Sequence, residues 1–187
     1  MNLPMRLTNQ FLIAMPTLRD PNFFHGVTYV CEHNANGAMG VMINRPLEIR
    51  MGDVLEQMKI PTELEALRRM PVFLGGPVQC ERGFVLHQPL GKWRMTMPIT
   101  DTFGVTSSRD ILEAMAQGQG PEICLVALGY AGWGPGQLES ELADNAWINV
   151  PADARVVFQT PPEQRWEAAA ALTGVDIHRL SAHIGHA

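Results

Sequence analysis

Apolar residues in this chain gather in short runs separated by turn-forming clusters. Strand-length runs occupy Phe11–Met15, Val27–His33, Ala38–Asn44, Val72–Leu74 and Phe84–His87. Others follow at Phe103–Val105, Ile123–Leu128, Trp147–Val150 and Val156–Phe158. Short apolar runs bounded by Gly, Pro and Asn read as strands. Asn36-Gly37 between the second and third runs predicts a hairpin. Helical signals fall between the strands. Thr62-x-x-Glu65 is a capping-box pattern opening a helix through Arg69. Ser107-x-x-Asp110 opens Arg109–Gln117, with Ile111, Leu112 and Met115 inward and Gly118 as the stop. Asp53 caps a turn carrying Val54, Leu55 and Met58. Thr160-Pro-Pro-Glu163 opens a helix with Trp166 and Leu172 that Gly174 closes. Strands and helices mix without regular alternation, which favours α+β with a mixed sheet over a doubly wound parallel sheet. No linker interrupts the runs, so a single domain over residues 1–187 is expected.

Composition narrows the function classes. The net charge is −5, and only two lysines, Lys59 and Lys92, accompany dispersed arginines. Neutralising phosphates needs clustered Lys and Arg, so direct DNA binding is disfavoured, as is an anionic membrane surface. No apolar run approaches the length of a membrane span. Phe11–Met15 is too short for a signal-peptide core. Cys31, Cys80 and Cys124 are odd in number and far apart, which suits unpaired thiols in a reducing cytosol. A cytoplasmic protein is expected.

The segment Leu128–Trp147 is the most distinctive. An apolar run leads into Gly129, Gly132, Gly134 and Gly136, with Tyr130 and Trp133 set among them, before a short helix-like stretch. We read Gly129–Gly136 as a loop in which Gly132 and Gly134 hold conformations that a β-carbon disfavours. Trp133 then walls a shallow cleft; the alternative is a lid on the core. Gln137 and Glu141 are spaced to share a helix face beside that loop. The glycine spacing fits no nucleotide-binding motif, and Glu139, Glu141 and Asp144 would repel phosphate. Asn44-Arg45 at a hairpin end and the Gly75-Gly76-Pro77 turn are further loop features; with the glycine loop they form the candidate ligand-binding surface. Arg45 and Arg109 could each contact a carboxylate or phosphate, or form surface ion pairs.

Chemistry is sparse elsewhere. Cys31 and His33 are two apart in a strand and are expected on one face, with Glu32 on the other. They are weak candidates for a thiol nucleophile and its base, against a buried structural cysteine beside a hydrogen-bonded histidine. His183 and His186 read as a frayed tail. No metal-ligand spacing is present, so neither metal nor cofactor is expected.

Several segments together resemble the YqgE/AlgH family of bacterial proteins. They are Met15-Pro16 with Asp20-Pro21-x-Phe23, Cys31-Glu32-His33-Asn34 with Gly37-Ala38-Met39-Gly40, and Ile43-Asn44-Arg45-Pro46. Gly75-Gly76-Pro77-Val78, Gly83-Phe84-Val85-Leu86-His87 and Ser107-Ser108-Arg109-Asp110-Ile111-Leu112 continue the pattern. It runs on through Leu128–Glu139 to Arg165-Trp166. The resemblance implies a bifurcated mixed sheet folded into a pseudo-barrel with short flanking helices. It implies a cytosolic bacterial protein and supplies no reaction, since the family has no established activity. One branch is named for regulating alginate synthesis and is often labelled a transcriptional regulator. We therefore expect a non-catalytic binding or regulatory module with an unidentified small-molecule or protein partner. A hydrolase or thiol-dependent enzyme using Cys31 and His33 is the alternative.

Overall fold

A computed structural model describes residues 6–18 and 20–176. The expectation for His183 and His186 lies outside them. Among the described residues, ten strands form one curled sheet: β1 (Gln10–Ala14), β2 (Val27–Asn34), β3 (Gly37–Met42), β4 (Pro46–Arg50), β5 (Pro71–Leu74), β6 (Val78–Gln88), β7 (Thr96–Pro98), β8 (Gly104–Thr106), β9 (Ile123–Trp133) and β10 (Trp147–Pro151). Their main order is β10-β1-β2-β3-β9-β6-β8-β7, with β4 on β5 and β5 on β9. All pairings are antiparallel except β5 with β9, so the sheet is mixed. It curls into a half-barrel, which bears out the α+β expectation.

The sheet forks at β9. Val126–Leu128 pair with β5, whereas Ala131–Trp133 pair with β3. β6 runs antiparallel to β9 from Gly83 to Gln88. Two backbones must meet where the fork opens: Gly75 donates its N–H to the Leu128 carbonyl at 2.7 Å and accepts from Met42 at 2.7 Å.

Among the described residues, six α-helices cover the sheet: α1 (Met51–Gln57), α2 (Glu65–Arg68), α3 (Arg109–Ala116), α4 (Gln137–Ala143), α5 (Ala154–Phe158) and α6 (Arg165–Ala171). They divide the buried side chains into three clusters. Phe11, Tyr29, Phe84 and Leu86 fill the half-barrel and are closed over by Val156, Val157 and Trp166. Met51, Leu55, Val85, Ile111, Leu112 and Val126 pack between the sheet and α1–α3. Leu7, Val30, Trp133, Leu138 and Trp147 form a third core beneath Phe23.

The predicted hairpin forms with Asn34 facing Gly37, and the Asn34 side chain accepts from Asn36 N–H at 2.8 Å. Other expectations need correction. Val156–Phe158 is helix, because Asp153 caps it by accepting from Arg155 N–H at 2.9 Å. Thr62 caps no helix: its hydroxyl donates to the Ala116 carbonyl at 2.9 Å, and α2 begins only at Glu65. Asp53 lies in the first turn of α1 and accepts from Arg50 N–H at 2.8 Å.

Candidate functional site

The expected glycine loop is mostly strand. β9 continues through Gly129 and Tyr130 to Trp133, leaving only Gly134–Gly136 as a turn. Positive φ falls at Gly129 (79°) and Gly136 (74°), and Gly132 and Gly134 are free of it. A β-carbon on either would meet nothing closer than 3.4 Å. The glycine that matters is set by the fork. At Gly129 a β-carbon would press on the Gly76 carbonyl, and at Gly76 on the Tyr130 carbonyl group. Gly75 and Gly76 are therefore brought against Gly129 and Tyr130, and Leu74 N–H bonds to the Arg45 carbonyl at 2.8 Å.

Trp133 is a core residue, only 6% exposed. Its ring stacks on Phe23 at 6.3 Å and meets Trp147 edge-on at 6.1 Å. Glu141 Oε1 accepts from both indoles, Trp133 Nε1 at 3.2 Å and Trp147 Nε1 at 2.9 Å. Gln137 and Glu141 share a helix face as expected: Gln137 Nε2 donates to Glu141 Oε2 at 3.0 Å. Gln137 Oε1 also accepts from Gly134 N–H at 2.9 Å, so one carboxylate and one amide brace the strand end onto α4.

Asn44 and Arg45 face inward onto the backbone. Asn44 Oδ1 accepts from Val27 N–H at 2.9 Å and Nδ2 donates to the His25 carbonyl at 2.9 Å. Arg45 donates to the carbonyls of Pro21, Asn22 and Phe24, clamping that loop. Burial pulls its guanidinium pKa below the ordinary value.

Cys31 and His33 do not meet as a pair. A bulge opens between Val30 and Glu32, so the alternation that would align them is broken. Cys31 packs in the half-barrel core, and its thiol reaches only the Tyr29 carbonyl at 3.8 Å. Burial, then the charge of Glu32, raises its pKa. Both ring nitrogens of His33 are occupied. Nδ1 accepts from Leu7 N–H at 3.0 Å, which fixes the proton on Nε2, facing Glu139 Oε1. That bond is the main reason the Glu139 carboxyl lies below its usual range. Among the described residues, no group of three His, Cys, Asp or Glu could hold a metal ion, and no helix is long and apolar enough to cross a membrane.

An open site lies on the other half of β9. A groove of about 390 Å³ runs between α1 and α3, over β6 and β9. Val85, Val126, Ile111 and Leu112 form its floor and are buried. Val54, Met58 and Leu128 are half-buried, and Ile49 is 38% exposed at its edge. Gln57, Glu81, Ser107 and Arg109 make a polar rim. An apolar floor with a few polar groups is the usual build of a small-molecule site. Sequence reasoning weighed Arg109 and overlooked the rest. The available signal was Gly83, a glycine at the head of the apolar run Phe84–His87.

The fold defined by this forked half-barrel is shared with solved structures. The solution structure of the AlgH protein from Pseudomonas aeruginosa superposes with a TM-score of 0.82 at 47% identity, covering 100% of this chain and 99% of that one. A protein from Corynebacterium diphtheriae shares the fold at 17% identity, with a TM-score of 0.69 over 90% of this chain and 87% of its own. UPF0301 proteins of Nitrosococcus oceani and Thioalkalivibrio sulfidiphilus are 60% and 58% identical, over 96% and 100% of both chains. Residues 11–178 match the profile described as AlgH-like. The chain belongs to the AlgH-like family.

Proposed function

We propose that this protein is a non-catalytic binding module with a regulatory role, and that its binding surface is the groove between α1 and α3. One observation carries the reading. The groove leaves part of a hydrophobic core uncovered beneath a polar rim, whereas Gly75, Gly76, Gly129, Trp133 and the Cys31–His33 segment are already committed to internal contacts. Ordering and burying Cys31 and His33 in this way serves the fold, so the thiol-enzyme alternative gains no support. Any effect on transcription would be indirect, since the net charge of −5 opposes phosphate binding. The cytosol is the compartment that suits three free thiols.

A fragment screen read by amide chemical shifts tests the site. Shifts should centre on Val54, Gly83, Ser107 and Leu128. Hits that instead move the Tyr130–Gly136 amides would return the site to the glycine segment. Sequence-selective retention of duplex DNA at physiological salt would overturn the indirect role.

A further inference from the structure

Gly83 lies in the interior of β6, where glycine costs about 0.5–1 kcal/mol relative to alanine. Its φ is not positive, so its backbone does not require glycine. A β-carbon there would meet only Leu128 Cδ2, at 3.9 Å. Close packing does not require glycine either. What the missing side chain leaves is space in the floor of the groove, and glycine inside a strand marks places where another molecule approaches the backbone closely.

The rim supplies a charge preference. Arg109, the first residue of α3, spends Nε on Glu113 at 3.2 Å, while its two Nη groups have no acceptor among the described residues. The Ser107 hydroxyl is similarly without a partner there. Next to it, the Asp110 carboxylate accepts from Arg94 N–H at 2.8 Å and from the Ser108 hydroxyl at 2.5 Å. Glu81, also on the rim, opposes anionic ligands, most of all one with more than one negative charge.

Building on the groove as the binding surface, we infer that it takes an amphipathic monocarboxylate, its alkyl chain lying across Gly83 and its carboxylate at Arg109. About 150 Å³ suffices for benzene. A groove of about 390 Å³ therefore has room for a chain of about ten carbons.

The test titrates the full chain with decanoate and with 1-decanol, reading the amide shifts of Val54, Gly83 and Leu128. Decanoate should bind saturably and more tightly than 1-decanol. Arg109→Gln should weaken decanoate about tenfold, as loss of a charge-assisted bond does, and leave 1-decanol unchanged. Gly83→Leu should abolish both while keeping its unfolding midpoint; Val54→Phe, on the opposite wall, provides a second plug should Gly83→Leu not fold. Equal binding of the two ligands, indifferent to Arg109→Gln, would overturn the carboxylate inference and leave the groove reading intact. Decanoate binding that survives both plugs would overturn the inference and the groove reading together. Should neither ligand move these amides, the ligand class is wrong, and the groove reading is decided by the fragment screen.

Discussion

The two halves of β9 use glycine for opposite ends. In the second half, Gly129 and its partners Gly75 and Gly76 stand where backbone presses on backbone, so a side chain has nowhere to go. Beside the first half, Gly83 of β6 faces space that a side chain could fill. The fork end is also closed by polar bonds. Two indoles, one amide and one carboxylate satisfy one another, and Trp133 is sealed beneath Phe23. The groove end keeps an apolar floor, and Arg109 retains unspent donors. Glycine and tryptophan density therefore marks the part of the molecule where the fold is hardest to build. The half with fewer of these residues is the one that keeps an uncovered apolar floor.

The sharpest way to break that contrast is a pair of alanines. Gly76→Ala places a β-carbon against the Tyr130 carbonyl group at a backbone φ of 159°, where the substitution is sterically blocked. We expect a loss of roughly 3 kcal/mol or more in urea unfolding, or no folded protein. Gly83→Ala should be neutral or stabilising by about 0.4–1 kcal/mol, because it removes unfolded-state freedom without strain. A similar destabilisation at both positions would dissolve the distinction.

Trp133 gives the next largest effect. Trp133→Ala should cost about 3–5 kcal/mol, as truncation of a buried aromatic does. Trp133→Phe keeps much of the packing and removes one indole donor to Glu141, so about 1–2 kcal/mol is expected. A thermal midpoint indifferent to Trp133→Ala would show an exposed ring and restore the cleft reading.

Thiol labelling tests the burial of Cys31 directly. Cys31 lies in the core, and burial raises its pKa. Cys80 is exposed at the fork end of β6. Iodoacetamide at neutral pH should modify Cys80 readily and Cys31 only as fast as the protein opens. Rapid labelling of Cys31 in the native protein would falsify its structural role.

The smallest effect concerns pH. His87 sits fully buried on β6 between the Thr106 hydroxyl at 2.7 Å and the Pro89 carbonyl at 2.9 Å. Burial lowers its pKa below the ordinary 6.5. The unfolded chain therefore binds its proton first as the solution is acidified. The contribution of neutral His87 is fully present above pH 6.5 and is lost as pH falls toward its folded value. Urea unfolding across that window should show stability declining with acid, and His87→Gln should flatten the slope. An unchanged slope would place the proton uptake elsewhere.

Much of the architecture was legible in the chain. Alternating and continuous apolar runs located most strands, and Asn36-Gly37 located the hairpin, because both signals act over neighbouring residues. Asp110 in the first turn of α3 was legible for the same reason, although the cap falls on Ser108 and not on the expected Ser107. Capping patterns proved less secure: Thr62 bonded to Ala116, a residue distant in sequence. Val156–Phe158 has the composition of a strand, and a single Asp153 cap turned it into helix.

The sequence by itself determined the fold class, the family and the absence of clustered positive charge, since these rest on local pattern and composition. Tertiary structure alone decided what each distinctive residue does. A glycine reads identically whether a carbonyl stands over it, as at Gly76, or open space does, as at Gly83. A histidine two residues from a cysteine reads as a dyad until a bulge between Val30 and Glu32 changes the register and Leu7 and Glu139 occupy both ring nitrogens. These outcomes depend on groups tens of residues away, and only the folded chain brings them within contact.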